Sequence, residues 1–207
     1  MTKKTMSLVA VLLLVLSLGL LPAAAETEEN TIYVNIANAG KLEAAMEPIA
    51  LADADGDGAL TVNDALILIH DAKYEGGAAA GFATADSQYG PMITKLWGVE
   101  NGGSYGYYVN NTMSMGLTDP VAAGDVVYAF VYADAAGFSD AYSYFDKSQA
   151  EIADGEELTL TLSKADGFDA NYAPIYKPLE GAVITVDGIA TQFVTDAEGK
   201  AVIKLES

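Results

Sequence analysis

Three features of the sequence predict an α+β fold. Residues 62–74 form one strongly helical segment. Short runs of alternating, β-branched and aromatic residues flank it on both sides. Similar runs recur in the last quarter of the chain between Asp–Gly turns. The predicted organisation is a leader over 1–25, a domain with one main helix over 26–147, and a small all-β module over 150–207.

The leader is read from its charge and hydropathy. Lys3 and Lys4 precede an almost unbroken apolar run from Leu8 to Leu21, Pro22 ends the run, and Ala23-Ala24-Ala25 supplies a small-residue cleavage pattern ahead of Glu26. That is the layout of a secretory signal, and the run is short for a spanning helix of about 20 residues. The expected location is secreted or on an extracellular cell surface, with no membrane contact after cleavage. Millimolar calcium is plausible there.

Composition excludes several chemistries. The 207 residues carry a formal charge of −19, with ten lysines, no arginine, no cysteine and a single histidine, His70. Without Cys there is no disulfide framework, thiolate metal site or thiol nucleophile. Without Arg there is no guanidinium fork for phosphate. So negative a surface repels nucleic acid. One His limits any triad to a single arrangement, and no Gly-rich phosphate loop accompanies it. The chain is expected to be a binding module and not an enzyme.

Within the first domain, Thr31–Ile36 reads as a strand, Asn38-Ala39-Gly40 as a turn, and Pro48–Ala52 as a second short strand. The helix over 62–74 places Val62, Ala65, Leu66, Ile69 and Ala72 on one face, with Thr61 as N-cap and Asp64 three residues on. His70 falls on that helix and reads as a satisfied, half-buried side chain. Gly76-Gly77 is expected to end the helix, and 81–90 to be irregular. Strands are predicted at Ile93–Trp97, Tyr105–Asn110 and Val126–Tyr132. A boundary is placed near Ser148–Asp154. Strands at Leu158–Leu162, Val183–Val186, Thr191–Val194 and Ala201–Leu205 follow.

The most specific motif is the twelve-residue run from Asp53 to Asp64. Asp53, Asp55 and Asp57 stand at its first, third and fifth positions, and Gly58 at the sixth, where the chain must turn. Ala59 offers a carbonyl at the seventh, Thr61 a ligand at the ninth, and Asp64 closes the run. Calcium takes six to eight hard oxygens, and carboxylates this close repel one another unless a cation lies among them. The expected cofactor is a structural Ca²⁺ in an EF-hand-type loop held by Asp53, Asp55, Asp57, Ala59, Thr61 and Asp64. A closing Asp in place of Glu resembles the calcium loop of dockerin modules, which implies a cohesin-type partner; dockerins carry two such loops and one is found here.

A second resemblance rests on Gly106-Tyr107-Tyr108-Val109-Asn110-Asn111 and, after it, Ala123-Gly124-Asp125-Val126-Val127, together with Thr61-Val62-Asn63-Asp64-Ala65-Leu66. These runs resemble the signature of transcobalamin C-terminal-like β-grasp domains of secreted bacterial proteins, over roughly residues 31–146. The resemblance implies a β-grasp-like fold and, in the corresponding family, contact with a corrinoid. Asn111 stands where that family has Gly, and no separate helical domain is present. Trp97, Tyr105, Tyr107 and Tyr108 are candidate ligand-binding residues, for a small soluble ligand or a glycan stacking on their rings; cross-strand core packing is the competing reading. Residues 178–201, with the Thr195-Asp196-Ala197-Glu198-Gly199 turn, look like a small immunoglobulin-like or carboxypeptidase-regulatory-like spacer of surface proteins. The resulting expectation is a secreted, calcium-binding surface module for ligand binding or adhesion. The alternatives are dockerin-like docking and corrinoid binding.

Overall fold

The computed structural model describes residues 3–5, 30–137, 140–148, 150–153, 155–170, 173–186 and 189–204. Apart from 3–5, the segment read as a secretory signal lies outside the described residues, as does the Asp187-Gly188 turn. The described chain begins with a short strand, β1 (Lys3–Thr5). The molecule divides into two compact units, one spanning 24–140 and the other 141–207 with the initial segment. The division therefore falls ahead of the boundary placed near Ser148–Asp154.

The expected fold class is overturned. The chain is mostly β, with about 50% strand, 10% helix and two helices among the described residues, arranged in several sheets. It is not an α+β, β-grasp-like domain with one main helix followed by an immunoglobulin-like module, and no EF-hand loop is shown. The excess strand comes from segments without β-branched alternation. They include the Lys41–Glu47 part of β3 (Lys41–Ala50), which follows β2 (Thr31–Asn38), and β4 (Ala83–Ser87), which pairs with β5 (Gly90–Lys95), a strand partly expected over Ile93–Trp97. Ladder partners, not intrinsic propensity, hold such segments extended.

In the unit spanning 24–140, a five-stranded sheet runs in the order β3-β2-β8-β6-β7, with β6 (Tyr105–Val109), β7 (Thr112–Met113) and β8 (Val126–Val131). β2 and β8 are parallel, Tyr33 opposite Val126 and Ala37 opposite Phe130, and the remaining pairs are antiparallel. β3 lies at the sheet edge, where Pro48 removes no ladder donor from an inner strand. α1 (Val62–Lys73) packs on one face. Alternation brings Ile32, Val34 and Ile36 of β2 and Val127, Ala129 and Val131 of β8 into one core with Val62, Ala65, Leu66 and Ile69 of the helix. Full burial of such side chains contributes about 1.5–3 kcal/mol each. α2 (Gly77–Gly81) follows directly, so the glycines expected to end α1 begin a second, short helix.

β2 carries one polar side chain on its buried course. Asn35 is 2% exposed, and its Oδ1 accepts the backbone N–H of Met46 at 2.8 Å. The β2–β3 register shifts here, and Met46 takes φ +48°. The Asn amide thus satisfies a backbone donor that the bulge removes from the ladder. Asn35→Ala is expected to destabilise the unit by about 1–3 kcal/mol, the range for orphaning a buried donor, read as a lower urea midpoint at unchanged slope.

The second unit holds a four-stranded sheet centred on β11 (Glu157–Phe168). Its first half pairs with β15 (Lys200–Lys204), and its second half with β9 (Ser143–Phe145) and β12 (Pro174–Pro178). The pairs β1 with β10 (Glu151–Ala153) and β13 (Val183–Val186) with β14 (Ile189–Val194) are separate. Leu158, Leu160 and Leu162 point inward from β11 onto Phe145, Ile184, Ala201 and Ile203. Gly199, at φ +73°, sits where any Cβ would strike the Leu162 carbonyl, which fixes glycine in the turn before β15.

Candidate metal centre

The loop between β3 and α1 turns on its own aspartates. Asp53 Oδ1 accepts the N–H groups of Gly56 (2.7 Å) and Asp57 (3.1 Å), and Asp53 Oδ2 accepts that of Gly58 (2.9 Å). Asp55 Oδ1 accepts from Asp57 N–H at 3.1 Å, and Asp57 Oδ1 from Ala59 N–H at 2.8 Å. Each carboxylate closes a turn two to five residues ahead, a conformation that Asp favours. Gly58 adopts φ +88°, the left-handed region where a side chain is strained.

These turns bring Asp53, Asp55 and Asp57 together. Carboxylate oxygens of the three lie within 4.8 Å of one another, and all three residues are exposed. The described ion pairs, Lys41–Glu43, Lys73–Glu47, Lys95–Glu100 and Lys177–Asp166, do not reach them. The donor set fits a hard divalent cation: the donors are oxygens, and a carboxylate oxygen that accepts one N–H retains a further lone pair.

Thr61 and Asp64 form the capping pair expected at the start of α1. Thr61 caps α1 and is 3% exposed; Asp64 is fully buried. Asp64 Oδ2 accepts from Thr61 Oγ1 (2.7 Å) and Thr61 N–H (2.9 Å), and Asp64 Oδ1 from the N–H of Ala54 (2.7 Å) and, longer, Asp55 (3.3 Å). The residue expected to close a calcium loop instead ties the loop's start to the helix N-terminus. A strand, not a helix, precedes the loop. These two features are the physical content of the missing EF-hand. Burial raises the Asp64 carboxyl, but the Thr61 hydroxyl and the N–H groups of Ala54, Thr61 and Asp55 outweigh it and hold it below the usual range. The other first-turn donors are also met, Val62 N–H by Asp119 O (3.0 Å) and Asn63 N–H by Leu117 O (2.9 Å). Ala59 is exposed beside the cluster, its N–H given to Asp57.

Sequence reasoning missed Asn63, whose Nδ2 donates to Asp55 Oδ2 at 2.8 Å. It also missed an open groove beside the loop, of about 510 Å³, rimmed by Asp55, Asp57 and Thr118 and walled by Ile67, Ala78 and Phe82. Nothing in the spacing of 78–84 marks these residues as a wall, because they meet the helix only through α2 and the following hairpin.

The four aromatic candidates are not gathered on one surface. Trp97 packs on His70 (5.0 Å between ring centres) and Tyr74 (5.3 Å). Tyr105 and Tyr107 lie against the helix-side core, and the Tyr105 hydroxyl bonds Thr94 O (2.8 Å) and Val99 O (2.9 Å). Tyr108 faces the opposite side of the sheet, across from Tyr128 and 6.3 Å from the Phe130 ring. His70 is fully buried. No described helix is long and apolar enough to cross a membrane. Comparison with known protein families, curated proteins and solved structures found no match.

Proposed function

We propose that the chain is a secreted or cell-surface binding module in which one calcium ion, held by Asp53, Asp55 and Asp57, fixes the loop ahead of α1. The observation that carries this reading is the convergence of three exposed carboxylates within 4.8 Å. Exposed like charges spread apart in water unless a cation or a local scaffold holds them. The backbone N–H groups of 56–59 offset part of the repulsion. A divalent ion supplies the rest. The ligand side of the proposal is the adjoining groove, whose rim shares Asp55 and Asp57 with the cluster and whose apolar wall suits a small soluble ligand or a glycan ring. The role is binding, not catalysis. The buried His70 has both ring nitrogens engaged inside the protein, and Asp64 is spent on the helix cap.

Calorimetric titration of chelator-stripped protein with CaCl₂ tests the proposal. The expected result is one site, filled more tightly by calcium than by magnesium, because a flexible loop of carboxylates suits the larger ion. A flat calcium titration overturns it.

A further inference from the structure

His70 and Trp97 are the single histidine and the single tryptophan of the chain, and they touch. His70 Nδ1 lies 2.6 Å from the Leu66 carbonyl on the same helix. A carbonyl only accepts, so Nδ1 carries the hydrogen and Nε2 presents a lone pair. Nε2 accepts the backbone N–H of Trp97 at 3.0 Å. The ring is fully buried, with Phe82 at 5.2 Å, Trp97 at 5.0 Å and Tyr74 at 5.9 Å between ring centres.

The segment held by this bond is under strain. Leu96 and Val99 bond each other through both backbone pairs (3.1 and 2.9 Å) around a two-residue turn. Its central residues, Trp97 and Gly98, take φ +49° and +76°. Glycine and asparagine favour such a turn; tryptophan does not. Gly98 N–H bonds the Gly81 carbonyl at 2.8 Å, and the Tyr74 hydroxyl lies against Gly98. The turn is therefore fastened to α1 by the imidazole and to the end of α2 by one backbone bond.

We propose that His70 and Trp97 form a pH-sensitive latch: protonation of the imidazole places two donors face to face, breaks the bond to Trp97 N–H, and frees the 96–99 turn from α1 while the sheet stays folded. Among the described residues, the groups around the ring are few. From α1 come the Asp71 carboxylate, which favours the protonated form, and Lys73, which is paired with Glu47 of β3; the Tyr74 phenol follows the helix, and Phe82 and Trp97, from the segments beyond, are uncharged. Lys95 and Glu100 flank the turn and pair with each other at 3.4 Å. Burial outweighs the Leu66 carbonyl and Asp71 and holds the ring below its ordinary value. A lowered imidazole makes the closed state fully favoured above about pH 6.5 and progressively lost as pH falls below it, since the open state binds the proton more readily.

The test follows Trp97 fluorescence of the full chain from pH 8 to pH 4.5, with the one imidazole followed by NMR and the backbone by far-UV circular dichroism. The expected result is a one-proton change in emission, centred below about 6.5. It should coincide with the imidazole titration and leave the far-UV signal unchanged. His70→Gln keeps an acceptor for Trp97 N–H without a titrating ring, and should hold the closed-state emission across the whole range. His70→Phe removes the acceptor, and should give open-state emission even at pH 8. Three outcomes overturn the latch: emission that stays flat while the imidazole titrates, a step that survives in His70→Gln, or loss of far-UV signal along the step. The His70→Gln arm decides the question even where His70→Phe does not fold.

Discussion

Adding calcium to chelator-stripped protein is expected to raise the melting temperature of the helical unit by roughly 10 °C. An ion present at a hundred times its dissociation constant stabilises by about 2.7 kcal/mol, and each kcal/mol moves the midpoint of a domain this size by about 4 °C. The stabilisation expected of an ion would be concentrated at one junction, because the loop that Asp53, Asp55 and Asp57 share leads directly into the cap of α1. Asp57→Asn keeps an acceptor for Ala59 N–H and removes one charge from the cluster. It should weaken calcium affinity at least tenfold while leaving the melting temperature in excess chelator within about 2 °C of the parent, as surface substitutions usually do. Scanning calorimetry in calcium and in chelator checks both halves. Identical parent curves in the two buffers would refute the site.

Asp64→Ala is expected to cost about 3 kcal/mol whether or not calcium is present. The side chain is fully buried and receives Thr61 Oγ1 and three backbone N–H groups, so truncation removes the capping box and leaves buried donors without partners. A lost cap alone costs about 1 kcal/mol, and an orphaned buried donor about 1–3 kcal/mol. Because its folded carboxyl is held below the ordinary range, its contribution is complete above about pH 4 and is lost as pH falls through the folded value. Urea unfolding at pH 7 and pH 3 measures this. Asp64→Ala should lie well below the parent at pH 7 and approach it at pH 3. A deficit that is abolished in excess chelator would instead place Asp64 among the metal ligands.

The parts of this molecule that sequence revealed are those in which local chemistry and tertiary environment agree. α1 is one, with an apolar face, Thr61 as cap and Asp64 completing the box. β2 and β8 are others, where alternate aliphatic residues turn toward the helix. The three clustered aspartates were legible because Asp at alternate positions both turns a chain and offers oxygen. The fold class was not legible. Lys41–Glu47 and Ala83–Ser87 carry little β propensity and become strands only because β2 and β5 supply their ladders. The capping box formed by Asp64 was legible, but the further bonds from its carboxylate to Ala54 and Asp55 were not. Spacing alone cannot tell whether a carboxylate at the start of a helix turns outward to an ion or inward to backbone donors. The four aromatics scattered because β6 alternates, sending Tyr105 and Tyr107 to one face and Tyr108 to the other.

The parallel pairing of β2 with β8 sets a kinetic condition on the whole unit. Tyr33 finds its parallel partner at Val126, so the central ladder cannot form until nearly all of the intervening chain has been made or has refolded around it. Pairings between such distant stretches slow folding. The β2–β3 hairpin and α1, both built from near neighbours in the chain, must wait with their apolar sides open to water. Refolding from urea should accordingly be slow for a unit this small, and the waiting species should bind hydrophobic dyes.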